Sequence, residues 1–449
     1  MIRCLIVSFF VVLSVPVTAG PFPEPVTDSS YSPIDPAEAA LGQLLFYDPI
    51  LSGNRNISCA TCHHPKFATS DGLSLGMGEG GIGLGMARRA DPQNMPEDRI
   101  PRNSPALFNL GASEFTVLFH DGRIEVDPDR SSGFRTPLDD DMLSGFTSLL
   151  SAQTMFPVLS ADEMAGHYGE NDVAAAVRKG LITGEGGAWD ILSRRVAEIP
   201  EYDTRFIQVY EHISEGSQIT FTDISNAIAA FVAYEWRSDE APYDAFLRDP
   251  DLTLSEDAQL GLELFYGAAG CANCHAGPFQ TDHRFYATGT PQLGPGKAAP
   301  FENHTKDVGR MRVTGKEVDA YAFRTPSLRN VTRTGPWGHA GAHVDLGEFL
   351  RDHADPTASI ERFSEGGGAR DAVKLPEFMA DDWHEMNDAE ARASILSAAT
   401  IRSRMDLDSS EITALLAFLG TLEDPVALSG RLGVPKQVPS GLPVDGVER

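Results

Sequence analysis

The sequence predicts a mostly α-helical protein built as two related halves with long ordered loops. Three observations carry that prediction: a segment that occurs twice, helical periodicity in the longest patterned stretches, and a scarcity of strand signals. The repeat pairs Leu41-Gly42-Gln43-Leu44-Leu45-Phe46-Tyr47 with Leu260-Gly261-Leu262-Glu263-Leu264-Phe265-Tyr266. Apolar residues recur every three to four positions over 174–196, 221–236 and 409–422, the spacing of one helix face.

From the start of the chain, Met1-Ile2-Arg3 leads into an apolar run from Leu5 to Val17 that closes on Val17-Thr18-Ala19. This pattern predicts a secretory signal, residues 1–19, cut near Ala19. The run is too short to span a bilayer, and no later stretch comes near 18 apolar residues, so no membrane span is expected. The first repeat is entered through Asp35-Pro36 and the second through Ser255-Glu256, both good helix starts. Long Gly- and Pro-rich stretches follow, 72–105 and 289–300, and read as loops wrapped over something buried. The end of the chain, 424–449, is rich in Pro, Gly and Val and reads as a surface tail.

Each repeat runs into a C-x-x-C-H motif: Cys59-Ala60-Thr61-Cys62-His63 and Cys271-Ala272-Asn273-Cys274-His275. Two thiols and an adjacent imidazole at this spacing suit covalent attachment of haem, the thiols as thioethers and the histidine on iron. There are five cysteines, and Cys4 lies within the leader, so none is left for a disulfide. Export then serves haem attachment rather than disulfide formation. The expected architecture is therefore two cytochrome c-like haem domains, 20–250 and 251–423, with His63 and His275 as proximal ligands of two haem c groups.

Charge narrows the partners. With 36 basic and 64 acidic residues the net charge is −28, which excludes a basic nucleic-acid-binding face. The acidic surface serves solubility or steers a small basic electron donor. What sits opposite each haem decides between electron transfer and peroxide chemistry. Composition and spacing leave that open among ten other histidines.

Further segments carry a resemblance over nearly the whole mature chain. They are Phe46-Tyr47-Asp48-Pro49 with Leu51-Ser52, Arg102-Asn103-Ser104-Pro105, Asp121-Gly122-Arg123, and Gln153 followed ten residues later by Glu163-Met164. Gly277-Pro278, Phe323 to Asn330 and Thr334-Gly335-Pro336-Trp337-Gly338-His339 continue the pattern. The sequence resembles the bacterial di-haem cytochrome c peroxidases, in the branch with the MauG-like enzymes.

The resemblance implies a peroxidatic N-terminal haem with Glu163 as acid-base residue and Gln153 beside it, and a C-terminal haem that relays electrons. It implies hydrogen peroxide as substrate, a small cytochrome c or cupredoxin as donor or a protein as substrate, and a periplasmic location, and it leaves open a homodimer. The position matching the second haem's sixth ligand is His353, with His343 its nearest competitor. A calcium ion is implied at Asn103, Thr334 and Pro336, and His339 is placed to orient a haem propionate.

Three departures from the family pattern matter. No histidine lies between His64 and His120, so the first haem is expected to be open without reductive activation; Met77, Met86 and Met95 are the alternative ligands there, although Met in a Gly-rich loop more often fills a gap. His120 stands where a Trp relay is usual, so electrons pass it by tunnelling or use another aromatic such as Trp337. Bis-His ligation of the second haem is expected to lower its reduction potential. Three functions follow: a peroxidase, a MauG-like oxidase that modifies a partner protein, or a non-catalytic electron-transfer protein. The 123–153 insertion is expected to shape a partner surface.

Overall fold

The computed structural model describes residues 22–297, 304–376, 382–400 and 406–447; the leader lies outside them. The two repeats form equivalent helices, Pro36–Tyr47 and Glu256–Tyr266, capped by the Asp35 and Ser255 side chains as their sequences predict. Each lies against a second long helix, Phe221–Glu235 in the first half and Ser409–Gly420 in the second.

The close approach has a cause in the sequence. A methyl group on Gly42 would overlap the Ala227 carbonyl oxygen and stand 2.9 Å from Phe231 Cβ. One on Gly261 would overlap the Ala414 carbonyl oxygen and stand 2.9 Å from Phe418 Cβ. Aromatic rings complete both seams, with Phe46–Phe231 at 5.2 Å and Phe265–Phe418 at 5.0 Å between centroids. Each such buried ring contributes on the order of 1.5–3 kcal/mol.

Among the described residues strands form only short antiparallel ribbons, as expected from the sequence. The largest pairs Val117–Leu118, Ile124–Val126 and Phe134–Arg135, so the 123–153 insertion is a hairpin followed by the Leu149–Thr154 helix. The periodic stretch 174–196 is not one helix but two, Asp172–Arg178 and Ala188–Ala197. The chain between them holds Gly180, Gly184 and Gly186 at positive φ, which ends one helix and re-aims the next.

The tail from Asp424 is a second correction, because it is not a surface extension. The Glu235 carboxylate accepts the backbone N–H groups of Arg431, Leu432 and Gly433, and Ser440 donates to Asp48 at 2.6 Å. Val438 and Val444 are buried in the core of the first half. Thr61, inside the first C-x-x-C-H turn, donates to Asp445.

The halves meet at buried charge. Arg102 of the first half makes a two-pronged bond to Asp307 of the second, at 2.6 and 2.7 Å, and an ion pair to Asp121 at 2.8 Å. Arg310 crosses back to the Gly122 carbonyl at 2.7 Å and to Glu125 at 2.9 Å.

Candidate haem sites

The first C-x-x-C-H motif forms a single turn, Cys59–Cys62, that ends at His63. The His63 ring donates through Nδ1 to the Thr69 carbonyl at 2.9 Å, which fixes its tautomer and leaves Nε2 for a metal. The second motif copies this: His275 Nδ1 donates to the Gln280 carbonyl at 3.1 Å. Burial pushes both imidazoles below their ordinary value, keeping them neutral as iron ligands need. Burial also pushes the Cys59, Cys62 and Cys271 thiols up to about 12, so as free thiols they are unreactive.

Beside His63 opens a cavity with about 1240 Å³ of atom-free space. Its walls are largely apolar, with Phe46, Ile57, Leu107, Leu150, Ile228 and Val232. Cys59, Cys62 and His63 line it together with Gln153 and Glu163. The space, the apolar walls and the ligand set fit a haem.

The structure therefore brings Gln153 and Glu163 together over the same cavity. Gln153 lies on the Leu149–Thr154 helix, and its Oε1 is buried with no hydrogen-bond partner, an acceptor facing a ligand's place. Glu163 lies on the five-residue π-helix Ala161–Ala165. Such turns recur at functional sites because they re-aim side chains. Burial raises the Glu163 carboxyl above its ordinary value, against the pull of Lys297 and Arg123.

His120 lines the cavity too, and burial, reinforced by Arg102, drives its ring down to about 3. Trp337 is held elsewhere, in the core of the second half, donating to the Val331 carbonyl at 2.9 Å. None of Met77, Met86 and Met95 lines the cavity; Met77 is buried and fills a gap, whereas Met86 and Met95 are exposed and fill none, which corrects the expectation for those two.

In the second half, His353 lines a narrow pocket of about 170 Å³ with His343 and 288–291. Burial pushes its ring down to about 4, with His275 and His343 in electrostatic reach. His343 is already engaged: its Nε2 meets Asp352 Oδ2 at 3.0 Å, and Arg362 holds the other Asp352 oxygen at 3.1 Å.

Asn103 donates through Nδ2 to the Leu73 and Ser74 carbonyls at 2.8 and 3.3 Å, and its N–H reaches the His339 carbonyl at 2.9 Å. Thr334 and Pro336 precede that same turn, and the Gly335–Pro336 peptide bond between them is cis. Both ring nitrogens of His339 are buried without partners, and the ring stacks on Phe323 at 3.9 Å.

Residues that motif reading missed also line the first cavity. Asp71 accepts from Leu73 N–H at 3.0 Å, and burial pushes its carboxyl up to about 6. Lys297 arrives from the second half. It is the sole charged residue between Gly289 and Pro300, the one signal that pointed to it.

Two thiol-histidine turns, each delivering a half-buried imidazole whose Nδ1 is tied to a backbone carbonyl, define a di-haem c-type protein. Known proteins agree. The family of di-haem cytochrome c peroxidases matches residues 36–252. The methylamine utilization protein MauG of Methylorubrum extorquens is 30% identical over 74% of this chain and 72% of its own. The cytochrome c551 peroxidase of Pseudomonas aeruginosa is 26% identical over 73% and 74%. The crystal structure of a MauG-like protein associated with microbial copper homeostasis superposes with a TM-score of 0.55 at 25% identity, covering 93% of this chain and 96% of that one. The chain belongs to the di-haem cytochrome c peroxidase family and carries two haems. Among the described residues no helix is long and apolar enough to cross a membrane.

Proposed function

We propose that this protein is a periplasmic peroxidase that reduces hydrogen peroxide to two waters with two protons and two electrons. The first haem is its peroxide site and the second its electron relay. The observation that carries the reading is the shared wall of one cavity: Cys59, Cys62 and His63 to hold a haem, Glu163 and Gln153 to handle protons. Haem iron, when bound, supplies the position that takes peroxide and the electrons that reduce it. Glu163 accepts the proton from one peroxide oxygen and returns it to the departing one. A carboxyl raised by burial is suited to both halves of that task near neutral pH. The unpartnered Gln153 Oε1 accepts a peroxide O–H and orients it.

Cys271, Cys274 and His275 would hold the second haem and His353 would supply its further ligand; His343, with Nε2 on Asp352 and Nδ1 buried without a partner, is the competitor. Electrons come from a small cytochrome c or cupredoxin drawn to the acidic surface. His120 is a spacer on their way to the first haem rather than a redox relay, because an imidazole is harder to oxidise than the indole of a Trp relay. A calcium ion at the junction would rest on Asn103 Oδ1, the Thr334 and Pro336 carbonyls and water. Among the described residues no group of three or more His, Cys, Asp or Glu is placed to hold a metal instead.

Glu163→Gln tests the reading. Peroxide reduction with a reduced donor falls 100-fold or more, while both haem spectra are kept. Activity near the wild-type value would remove Glu163 from the chemistry. A second reading, oxidation of a partner protein as in a MauG-like enzyme, is favoured by the absence of any histidine between His64 and His120. It requires the fully oxidised protein to react with peroxide before any reductant is added, which rapid-mixing spectroscopy reads directly.

A further inference from the structure

We propose that Lys297 is a positioning residue for Glu163, so that the C-terminal half completes the peroxide site of the N-terminal haem. The proposal rests on the reading of Glu163 given above and adds a residue from the other half of the molecule.

The geometry begins with the loop. Gln292 and Asp307 exchange two bonds: Gln292 Nε2 donates to the Asp307 carbonyl at 2.7 Å, and Asp307 N–H donates to Gln292 Oε1 at 3.0 Å. Asp307 is itself clamped to Arg102, a wall residue of the first cavity. Gly294 then donates its N–H to the Asp382 carbonyl at 2.8 Å. At φ +76° it packs so closely on Leu75 of the first half that a side chain there would collide with Leu75 Cδ1. The loop is thus tied down at both sides of the seam, and Lys297 follows three residues later, partly buried, on the wall of the cavity that Glu163 lines.

The charges around the cavity single out this lysine. Arg123 is engaged by both oxygens of Asp121, at 2.9 and 2.5 Å. Arg102 is held by Asp121 and Asp307. Among the described residues on the cavity wall, that leaves Lys297 as the cation not already held by a carboxylate. The other charged groups around the pair are Asp162, next in sequence to Glu163, and behind it Asp98, Glu97 and His167. Asp71 and His120 stand on the remaining wall.

Burial lowers the Lys297 ammonium and Arg123 repels it, whereas Glu163 favours its charged form. In return Lys297 opposes the upward push of burial on Glu163. An opposite charge close by favours an ionised carboxylate, and Glu163 must be ionised to take the proton from peroxide. The ammonium therefore extends proton abstraction toward lower pH, and it does so only while the halves are docked.

The test uses the full-length holoprotein as wild type, Lys297→Met, Lys297→Arg and Glu163→Gln. Stopped-flow rates of peroxide reaction are measured across pH, together with the infrared C=O band of the carboxyl that vanishes in Glu163→Gln. In Lys297→Met, the midpoint of the acid limb and that of the infrared band both move up by about one pH unit. The rate on the acid side falls about tenfold, since one unit is tenfold in ionised fraction. Lys297→Arg restores both midpoints. If Lys297→Met does not fold with both haems, Lys297→Gln carries the same prediction. Unmoved midpoints in a folded charge-removing variant, with Glu163→Gln inactive, overturn the Lys297 proposal alone. Wild-type rates in Glu163→Gln overturn both it and the reading of Glu163.

Discussion

The two halves share a scaffold and differ in what faces the haem, and the contrast separates what attachment requires from what chemistry requires. Both use a glycine-seamed helix pair, a C-x-x-C-H turn and a histidine whose Nδ1 is tied to a backbone carbonyl. Even the supporting bonds repeat: Ser70 Oγ donates to the Ser104 carbonyl, and Thr281 Oγ1 donates to the Thr325 carbonyl, each just before a proline. In the cavities beside these histidines the likeness ends. The first half presents a roomy cavity with an acid and an amide, and the second a narrow pocket with two imidazoles. A closed ligand set suits electron transfer and an open one suits substrate, so one scaffold serves both tasks.

The contrast depends on the halves being held together, and Asp307→Asn breaks that bond with the largest expected effect. Arg102 would keep its buried charge and lose its two-pronged partner, a change worth about 3–5 kcal/mol. Burial pushes the Asp307 carboxyl up, but Arg102 outweighs it and holds the group at about 2. A depressed carboxylate adds stability above its unfolded value near 3.8, and that stability is lost as pH falls toward 2. Thermal unfolding across pH 2–7 should show Asp307→Asn well below the wild type at neutral pH, with the gap closing in acid. A constant gap would mean that the side chain acts through packing rather than charge.

How much of this was legible in the sequence follows from how local each signal is. The haem turns and the repeated helices are contiguous patterns, and both stand where the residues put them. Gln153 and Glu163 were readable through the resemblance, because the family pattern keeps their spacing. The tail was misread because a Pro- and Gly-rich composition resembles a linker. Its hold comes from three backbone N–H groups meeting Glu235, far away in sequence, which no composition reveals. Lys297 was missed for a related reason: nothing in a Gly-Pro-Gly-Lys stretch says that it crosses to the other half's cavity.

The glycine seams offer a more even comparison. Ala at position 42 or 261 must push two helices apart, because the obstacle is a backbone carbonyl that cannot rotate away. Overpacking of this kind costs about 1–3 kcal/mol. Since the contacts are copied in both halves, Gly42→Ala and Gly261→Ala should lower stability by similar amounts. Each should perturb first the haem spectrum of its own half. A loss confined to one variant would show that the two seams, alike in geometry, differ in how far they can relax.

The mildest change leaves the scaffold alone and alters only the second haem's closure. His353 sits in the last turn of the Leu346–Ala354 helix, and a methionine there keeps the helix while replacing the imidazole by a thioether. If His353 is the sixth ligand, His353→Met raises the potential of the second haem by on the order of 100 mV, because a thioether favours reduced iron. Potentiometric titration resolves this, and the first haem serves as an internal control that should not move. An unchanged potential would take His353 off the iron. The ligand in the narrow pocket would then be His343, whose Nδ1 is buried without a partner while Asp352 holds its Nε2, and His343→Gln would remove it.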